Sequence, residues 1–365
     1  MKSAKLSNKY NYYFLPGIIL CFYFISISSM GDGGRIHTLS DDIMISMSYA
    51  KTFANSGELV WYEGSNRVQG FTNFLYTIFL SFIHLFKFDL QINSLVVSLV
   101  NVIFLLIIAI KVTSLALILS NGNKRISYFL GGLIFFQYPL IFWSLRGYEV
   151  GIISLLLILI IEQIVKFDPS FVKVDKSKIL KIYILISVGI LIRIDFLVIL
   201  LGVSSYFFLF KVSSSKEFFL FIKYNLFVGF VIFFIFLFQY FYYGDFLPNT
   251  YYLKTGGFAL IEKLPRGVLS SFNLLPLLIF IFSTLINRFS YKENLKTIFP
   301  IFSVSFFLVL YNIYIGGDAW EVYGFANRFI TPIIPLVFAA IPTLIPTKIL
   351  YKNKVINLIL LLLLL

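Results

Sequence analysis

The chain is 365 residues long, of which 59% are hydrophobic and 13% are charged. A soluble domain carries about 25% charged and about 45–50% apolar residues, so these values exclude a soluble globular fold. The single cysteine excludes a disulfide scaffold, and two histidines are too few for a histidine-rich zinc or haem site. The formal net charge of +13 suits nucleic acid or anionic lipid, depending on where the charge lies. The composition predicts an integral membrane protein.

Stretches of about 20 mostly apolar residues, long enough to cross a bilayer as helices, recur along the chain. The clear candidates are residues 12–30, 127–145, 148–165, 225–243, 268–287, 298–315 and 330–346. No small-residue cleavage site follows residues 12–30, so we expect a first span there and no cleaved signal peptide.

Three stretches are less regular. Residues 180–211 are too long for one span and carry Arg193 and Asp195 at their centre, which predicts two short helices meeting at Ile192–Asp195. Residues 72–120 fit one long span with a surface helix, or three short spans, and residues 356–365 make only half a span. We therefore predict an all-α polytopic bundle of about 10–13 spans, with residues 1–365 as one transmembrane domain and no separate soluble C-terminal domain.

The distribution of Lys and Arg predicts the orientation of the chain. Lys2, Lys5 and Lys9 precede the first span, which places the N-terminus inside. If the spans alternate, the inner loops hold most of the basic residues, so the net charge is an orientation signal and indicates no nucleic-acid partner. The predicted outer loops, rich in acids, Gly and aromatic residues, are residues 31–71, 146–149, 244–266 and 316–329.

The first outer loop contains two adjacent acids, Asp41 and Asp42, after Ser40. Ser40 suits a helix N-cap, and an apolar stripe at helical spacing (Ile43, Met47, Ala50 and Ala54) predicts a helix on the membrane surface. Successive helical positions differ by about 100°, so only one acid can face a cavity squarely. That acid is either a general base or part of ordinary helix-start chemistry, and the segment alone leaves both readings open.

Charged and amide residues in the other outer segments are candidates for binding a phosphate or a sugar, each with a structural alternative. Arg193 and Asp195 are costly at bilayer depth, so they are either functional or a structural ion pair between two half-helices. Arg328 could instead be an interfacial anchor, and the residues around Asp245 could form a plain turn. The candidates for substrate binding are Arg67, Arg146, Glu149, Arg193, Asp195, Asp245, Asn249, Lys254, Asp318 and Arg328.

Several of these segments together resemble the C-type (GT-C) glycosyltransferase superfamily, whose members use polyprenyl-phosphate sugars. The nearest family includes the terminal β-(1→2) arabinofuranosyltransferase. The matching segments are Asp41 to Ser46 with Tyr49-Ala50, Gly57 to Tyr62, Arg67 to Asn73, Gly147-Tyr148-Glu149, Arg193-Ile194-Asp195, Gly244 to Lys254, Gly316-Gly317-Asp318 and Arg328-Phe329. The order and spacing hold over about residues 30 to 335. The chain departs from the family pattern at Met44, Gln69 and Ile194.

The resemblance implies a GT-C fold and an inverting transfer from a polyprenyl-phosphate sugar to a glycan acceptor. Asp41 or Asp42 would be the general base, and Arg193, Arg328 and Lys254 would stabilise the leaving phosphate. Glu149 and Asp318 would orient a sugar or share a divalent cation with the first-loop acids; we expect no metal or other cofactor. The implied location is the bacterial cytoplasmic membrane, with the site on the extracytoplasmic side, in cell-envelope polysaccharide or lipopolysaccharide synthesis.

Two other functions stay open at this point. An O-antigen polymerase is also a Phe-rich polytopic protein that joins lipid-linked glycans, although its outer loops are richer in arginine. A non-enzymatic lipid-glycan flippase or transporter should carry polar residues at mid-membrane along an inverted repeat, and the sequence has no such symmetry.

Overall fold

The computed structural model describes residues 28–31, 34–166, 176–256, 260–272, 292–318 and 327–344, together with positions 17, 23 and 25. Within these ranges the protein is helical apart from one two-stranded hairpin, which confirms the predicted all-α class. The statements below concern these residues.

A short hairpin precedes the first long helix. Strand β1 (Ser28–Gly31) pairs antiparallel with β2 (Gly34–His37), so that Ser28 lies opposite His37. The predicted first span, 12–30, was therefore wrong at its end, because residues 28–30 belong to this strand. The rest of that span lies outside the described residues, apart from positions 17, 23 and 25.

Helix α1 (Asp41–Ser56) occupies the predicted first-loop position. Ser40 is the N-cap residue, as predicted, although its hydroxyl donates to Asp41 Oδ1 (3.0 Å) and accepts no backbone N–H of the helix. The predicted apolar stripe is real, yet Ile43, Met47 and Ala50 are buried in the protein core. Protein contacts therefore hold this face of α1.

The ambiguous stretch 72–120 forms two helices, α2 (Phe74–His84) and α3 (Leu90–Leu119). Only α3 is long enough to cross a membrane, which favours the first of the two predicted arrangements. Helix α2 packs along α1 and also contacts the later helix Lys176–Ile192. It therefore joins the first loop to the core.

The predicted spans 127–145 and 148–165 correspond to a bent helix pair and one short helix. Helix α4 (Lys124–Leu133) continues through a 3-10 turn (Ile134–Phe136) and meets α5 (Tyr138–Leu145) at a bend of 56°. Gln137 between the two helices has extended backbone, and Pro139 in the first turn of α5 has no N–H to donate to the preceding helix, so the helical hydrogen bonds are interrupted at the bend. Helix α6 (Val150–Val165) follows after a tight turn.

The predicted break near residue 193 is confirmed. Helix α7 (Lys176–Ile192) ends there, a 3-10 turn covers Ile194–Phe196, and α8 (Leu197–Phe210) continues the chain. Helix α9 (Ser215–Tyr243) contains the predicted span 225–243.

Four helices complete the described chain. They are α10 (Asn249–Gly256), α11 (Leu260–Ser271), α12 (Lys292–Ile315) and, after a 3-10 turn at Thr331–Ile333, α13 (Ile334–Leu344). Helices α12 and α13 match the predicted spans 298–315 and 330–346 closely. The predicted span 268–287 lies outside the described residues beyond position 272, as do the inner loops 288–291 and 348–354 and the final run 356–365.

By length and apolar composition, three of the described helices can cross a membrane, and the bent pair α4–α5 makes a fourth if it counts as one span. The three are α3, α9 and residues 298–315 of α12. The protein is thus a membrane protein built as a helical bundle. The total of 10–13 spans stays a prediction.

Two glycines allow α12 to lie unusually close to its neighbours. A Cβ on Gly267 of α11 would lie 2.4 Å from the carbonyl oxygen of Ile313, and one on Gly202 of α8 would lie 2.7 Å from Cα of Val304. Small residues at such crossings let helix backbones approach within van der Waals distance in a bilayer. This packing fixes the C-terminal end of α12, which leads into the site.

Candidate functional site

One polar cavity of about 90 Å³ lies where six separated segments of the chain meet. The segments are the start of α1, the loop before α2, the α5–α6 turn, the α7–α8 break, the start of α10 and the loop before α13. The lining residues are Asp42, Ile43, Ile45, Ser46, Gly70, Phe71, Thr72, Asn73, Tyr148, Glu149, Arg193, Thr250 and Arg328.

The first ion pair in this cavity joins residues 286 positions apart. Arg328 Nη1 donates to Asp42 Oδ2 at 2.6 Å. On its other side Arg328 Nε is 3.4 Å from Asp318 Oδ2, and the same carboxylate accepts the backbone N–H of Arg328 at 3.0 Å. The Arg328 side chain is 10% exposed and that of Asp42 is 46% exposed, so the pair lies at the wet edge of the cavity.

The second cluster centres on Arg193, at the break between α7 and α8. Its guanidinium forms a two-pronged pair with the carboxylate of Asp195 and donates to Glu149 Oε1 at 2.9 Å. Glu149 Oε2 accepts from the Asn73 amide (3.1 Å), whose oxygen accepts from Ser46 (2.9 Å). This chain of bonds connects α1, the loop before α2, the α5–α6 turn and the α7–α8 break.

The two arginines share one aromatic ring. The Arg193 and Arg328 guanidinium carbons lie 5.2 Å and 5.4 Å from the centroid of Phe329. Two guanidinium groups this close are stable in a buried place only because carboxylates surround them. The described pairs place Asp42, Glu149, Asp195 and Asp318 on these arginines, two more negative charges than positive ones.

The environment sets the protonation of two groups in the loops. Burial alone lowers the pKa of Arg328, but Asp318 and Asp42 outweigh it and raise the pKa, so the residue stays a cation. Burial raises the pKa of the Tyr148 phenol well above its usual range, so this hydroxyl stays neutral. Tyr148 can therefore donate a hydrogen bond in the cavity but cannot serve as a base at neutral pH.

The two adjacent acids have different surroundings, as the helical geometry predicts. Asp41 Oδ1 accepts from the Ser40 hydroxyl and from the backbone N–H of Asp42 (2.9 Å), while Ser40 in turn accepts from Tyr148 (3.1 Å). Asp42 lines the cavity and Asp41 does not. Among these two carboxylates, Asp42 is the one placed to reach a bound molecule.

A second, narrow cleft of about 20 Å³ begins at the same two arginines and runs between α6, α8 and α12. Its walls are mostly apolar, including Val150, Ile199 and Leu308. Arg193 and Arg328 therefore lie between a polar cavity and an apolar cleft.

Several predicted binding residues do not line the cavity. Arg67 is 54% exposed and pairs with Glu58 at 3.0 Å. Arg146 stacks over Phe142, with its guanidinium carbon 4.8 Å from the ring centroid, although the next residues of the same turn do reach the cavity. Asp245 is exposed and accepts from the Tyr252 hydroxyl at 2.7 Å.

The 244–256 segment contributes Thr250 to the cavity, whereas the sequence predicted Asp245, Asn249 and Lys254. The backbone N–H of Asn249 donates to the carbonyl of Gln69 (3.0 Å), which fixes the start of α10 against the first loop. The side chain of Asn249 is exposed, and Thr250 lines the cavity in its place. Lys254 belongs to α10, but its side chain lies outside the described part of the structure.

Sequence reasoning missed Ser46 and Thr250. Ser46 lies four positions after Asp42, so the helical period places both on one face of α1, and this signal was available. Thr250 depends on the docking of α10 to Gln69, which no local pattern indicates.

Among the residues that the structure describes, no group of three or more His, Cys, Asp or Glu side chains is arranged to hold a metal ion. Comparison of the chain with protein-family models, with curated proteins and with solved structures found no match.

Proposed function

We propose that this chain is an inverting membrane glycosyltransferase that moves a sugar from a polyprenyl-phosphate donor to a glycan acceptor at the outer face of the membrane. The observation that carries the proposal is the cavity itself, in which a half-exposed carboxylate, Asp42, lies beside the arginines Arg193 and Arg328. This transfer requires a general base and an anion site within one cavity, on opposite faces of the bound sugar.

The two arginines form the phosphate site in this proposal. Arginine binds phosphate oxygens in a two-pronged geometry and stays charged when buried. Arg328 Nε is buried and has no hydrogen-bond partner among the described residues, since the nearby Asp318 oxygen is outside hydrogen-bonding geometry. A phosphate oxygen would satisfy this donor.

In the proposed transfer, each of these groups has one role once donor binding has separated Asp42 from Arg328. The acceptor hydroxyl oxygen attacks the anomeric carbon of the donor sugar and forms the new glycosidic bond. The bond from that carbon to the phosphate oxygen breaks, and its electron pair leaves with the polyprenyl phosphate. Asp42 takes the hydroxyl proton, and Arg193 and Arg328 stabilise the charge that builds on the phosphate.

The apolar cleft supports a lipid-linked donor. It starts at the proposed phosphate site and runs between apolar helices, but at about 20 Å³ it has room for little more than a water molecule, so the helices must separate before the first part of a polyprenyl chain can enter. A soluble nucleotide sugar would have no use for such a cleft.

The experiment is mass spectrometry of the cell-surface glycan from cells with the gene, without it, and with Asp42→Asn in its place. We expect one terminal or branch sugar to disappear in the deletion and in the variant, and to return with the unaltered gene. A glycan shortened to single repeats would indicate a polymerase instead. An unchanged glycan in the deletion would refute the transferase.

A further inference from the structure

A buried amide pair connects the arginine loop to the helices behind it. Asn327 Nδ2 donates to Asn312 Oδ1 at 2.8 Å, and both side chains are buried. Asn312 lies near the end of α12, whereas Asn327 directly precedes Arg328. The pair therefore joins a transmembrane helix to the segment that carries an arginine of the cavity.

Each amide has further partners. Asn312 Nδ2 donates to the hydroxyls of Ser270 (2.8 Å) and Ser271 (2.9 Å) on α11. Asn327 Oδ1 accepts the backbone N–H groups of Phe329 (2.9 Å) and Ile330 (3.3 Å). The Asn327 side chain thus sets the turn of the backbone on both sides of Arg328.

The same segment is fixed at two more points. The backbone oxygen of Asn327 accepts from the N–H and the hydroxyl of Thr331, at 3.0 Å and 2.6 Å. Asp318 accepts the N–H of Arg328, and the Asp318 carbonyl accepts from Arg266 on α11 at 2.9 Å. Helices α11 and α12 therefore determine where the Arg328 backbone lies.

We propose that Asn312 and Asn327 are positioning residues of the anion site: their side-chain amide pair orients Arg328 and Phe329 toward the cavity. The inference rests on the proposed phosphate-binding role of Arg328. Neither Asn312 nor Asn327 lines the cavity, so their effect on binding comes through the segment that carries Arg328. A displacement of about 1 Å at such a site is enough to weaken binding severalfold.

The test is a double-mutant cycle on the affinity for undecaprenyl phosphate, measured with the full chain in lipid nanodiscs. We expect Asn312→Ala to weaken binding about 5- to 20-fold when Arg328 is present, and to have no further effect when it is combined with Arg328→Gln. Independent effects of the two changes, or unaltered affinity in Asn312→Ala, would overturn the inference.

Asn225→Ala is the matched control, because Asn225 is also a bundle asparagine that donates to a backbone oxygen and to a hydroxyl, those of Phe221 and Tyr183. It should leave the affinity unchanged. If Asn312→Ala does not accumulate in membranes, Asn312→Ser keeps a hydroxyl beside Ser270 but is too short to reach Asn327, and it should weaken binding in the same way. If the unaltered protein fails to bind undecaprenyl phosphate at all, the proposed function fails and not merely this inference.

Discussion

Replacing Asp42 with asparagine should strengthen the binding of a lipid phosphate while it abolishes sugar transfer. The Asp42 carboxylate accepts a hydrogen bond from Arg328 Nη1 at 2.6 Å. A phosphate that uses this arginine has to displace the carboxylate first. Asparagine removes the competing charge, and it also removes the proposed base.

The magnitude follows from the distance and the exposure of the pair. Two unit charges about 4 Å apart attract with about 4 kcal/mol at an effective dielectric constant of 20 and with about 1 kcal/mol in bulk water. Because Asp42 is 46% exposed, the lower part of this range applies. A competing interaction of about 1–2 kcal/mol corresponds to about 5- to 30-fold tighter binding in the variant.

The assay is a titration of the full chain in nanodiscs with undecaprenyl phosphate, with undecaprenol as the lipid that lacks the phosphate. Trp143, whose ring centroid lies 5.9 Å from the Arg328 guanidinium carbon, provides an intrinsic fluorescence signal near the site. Asp41→Asn is the matched control, because the Asp41 carboxylate accepts from Ser40 and from a backbone N–H instead of from an arginine. Equal or weaker phosphate affinity in Asp42→Asn would refute the reasoning, as would an equal gain in Asp41→Asn.

Three further predictions concern stability and geometry. Arg193→Gln should destabilise the protein by about 3–5 kcal/mol in thermal denaturation, because it leaves the Glu149 carboxylate buried without its cation. Arg193→Lys should not restore transfer, since lysine lacks the two-pronged geometry with which Arg193 binds Asp195. Full transfer in Arg193→Lys would contradict this. Glu162→Gln should lower the melting temperature without changing the affinity for undecaprenyl phosphate, because Glu162 of α6 pairs with Lys111 of α3 at 3.1 Å and so joins the two helices. A changed affinity would argue against a purely structural role. Burial lowers the pKa of His37 below its unfolded value near 6.5, so the unfolded chain binds a proton more readily than the folded one and stability falls as the pH decreases below about 6.5. His37→Gln should therefore lessen the loss of melting temperature between pH 7.5 and pH 5.5. An identical loss in the variant would contradict the assignment.

Hydrophobic patterning predicted the helices more reliably than their ends. The break at residue 193 was predictable because a charged pair in the middle of an apolar run is costly in a bilayer. The strand at 28–30 was not, because Ser28, Ser29 and Met30 form no strand pattern of their own and only the hairpin partner distinguishes them. Likewise, the Ile43–Met47 stripe of α1 reads equally well as lipid-facing or core-facing, and only the packing of α2 decides.

The charged candidate residues fall into two groups, according to whether their ionic or hydrogen-bond partner lies across the fold or within the same loop. Glu149, Arg193 and Arg328 could be proposed because charges near apolar helices need partners, and each of them has one. Arg67 and Asp245 fit the same rule, yet local partners satisfy both within their own loops. Sequence alone does not distinguish a charge that reaches across the fold from one that pairs with a near neighbour.

The contact between Asp42 and Arg328 itself limits the order of events in the proposed reaction. In an inverting displacement the acceptor oxygen and the leaving phosphate lie on opposite faces of the sugar, so the base and the phosphate site must be separated by roughly the thickness of a sugar ring. A carboxylate that is 2.6 Å from the phosphate-binding arginine is too close to serve as that base. Donor binding therefore has to separate the pair before transfer, and we expect Asp42 to be the partner that moves, because its side chain is 46% exposed and that of Arg328 is 10% exposed.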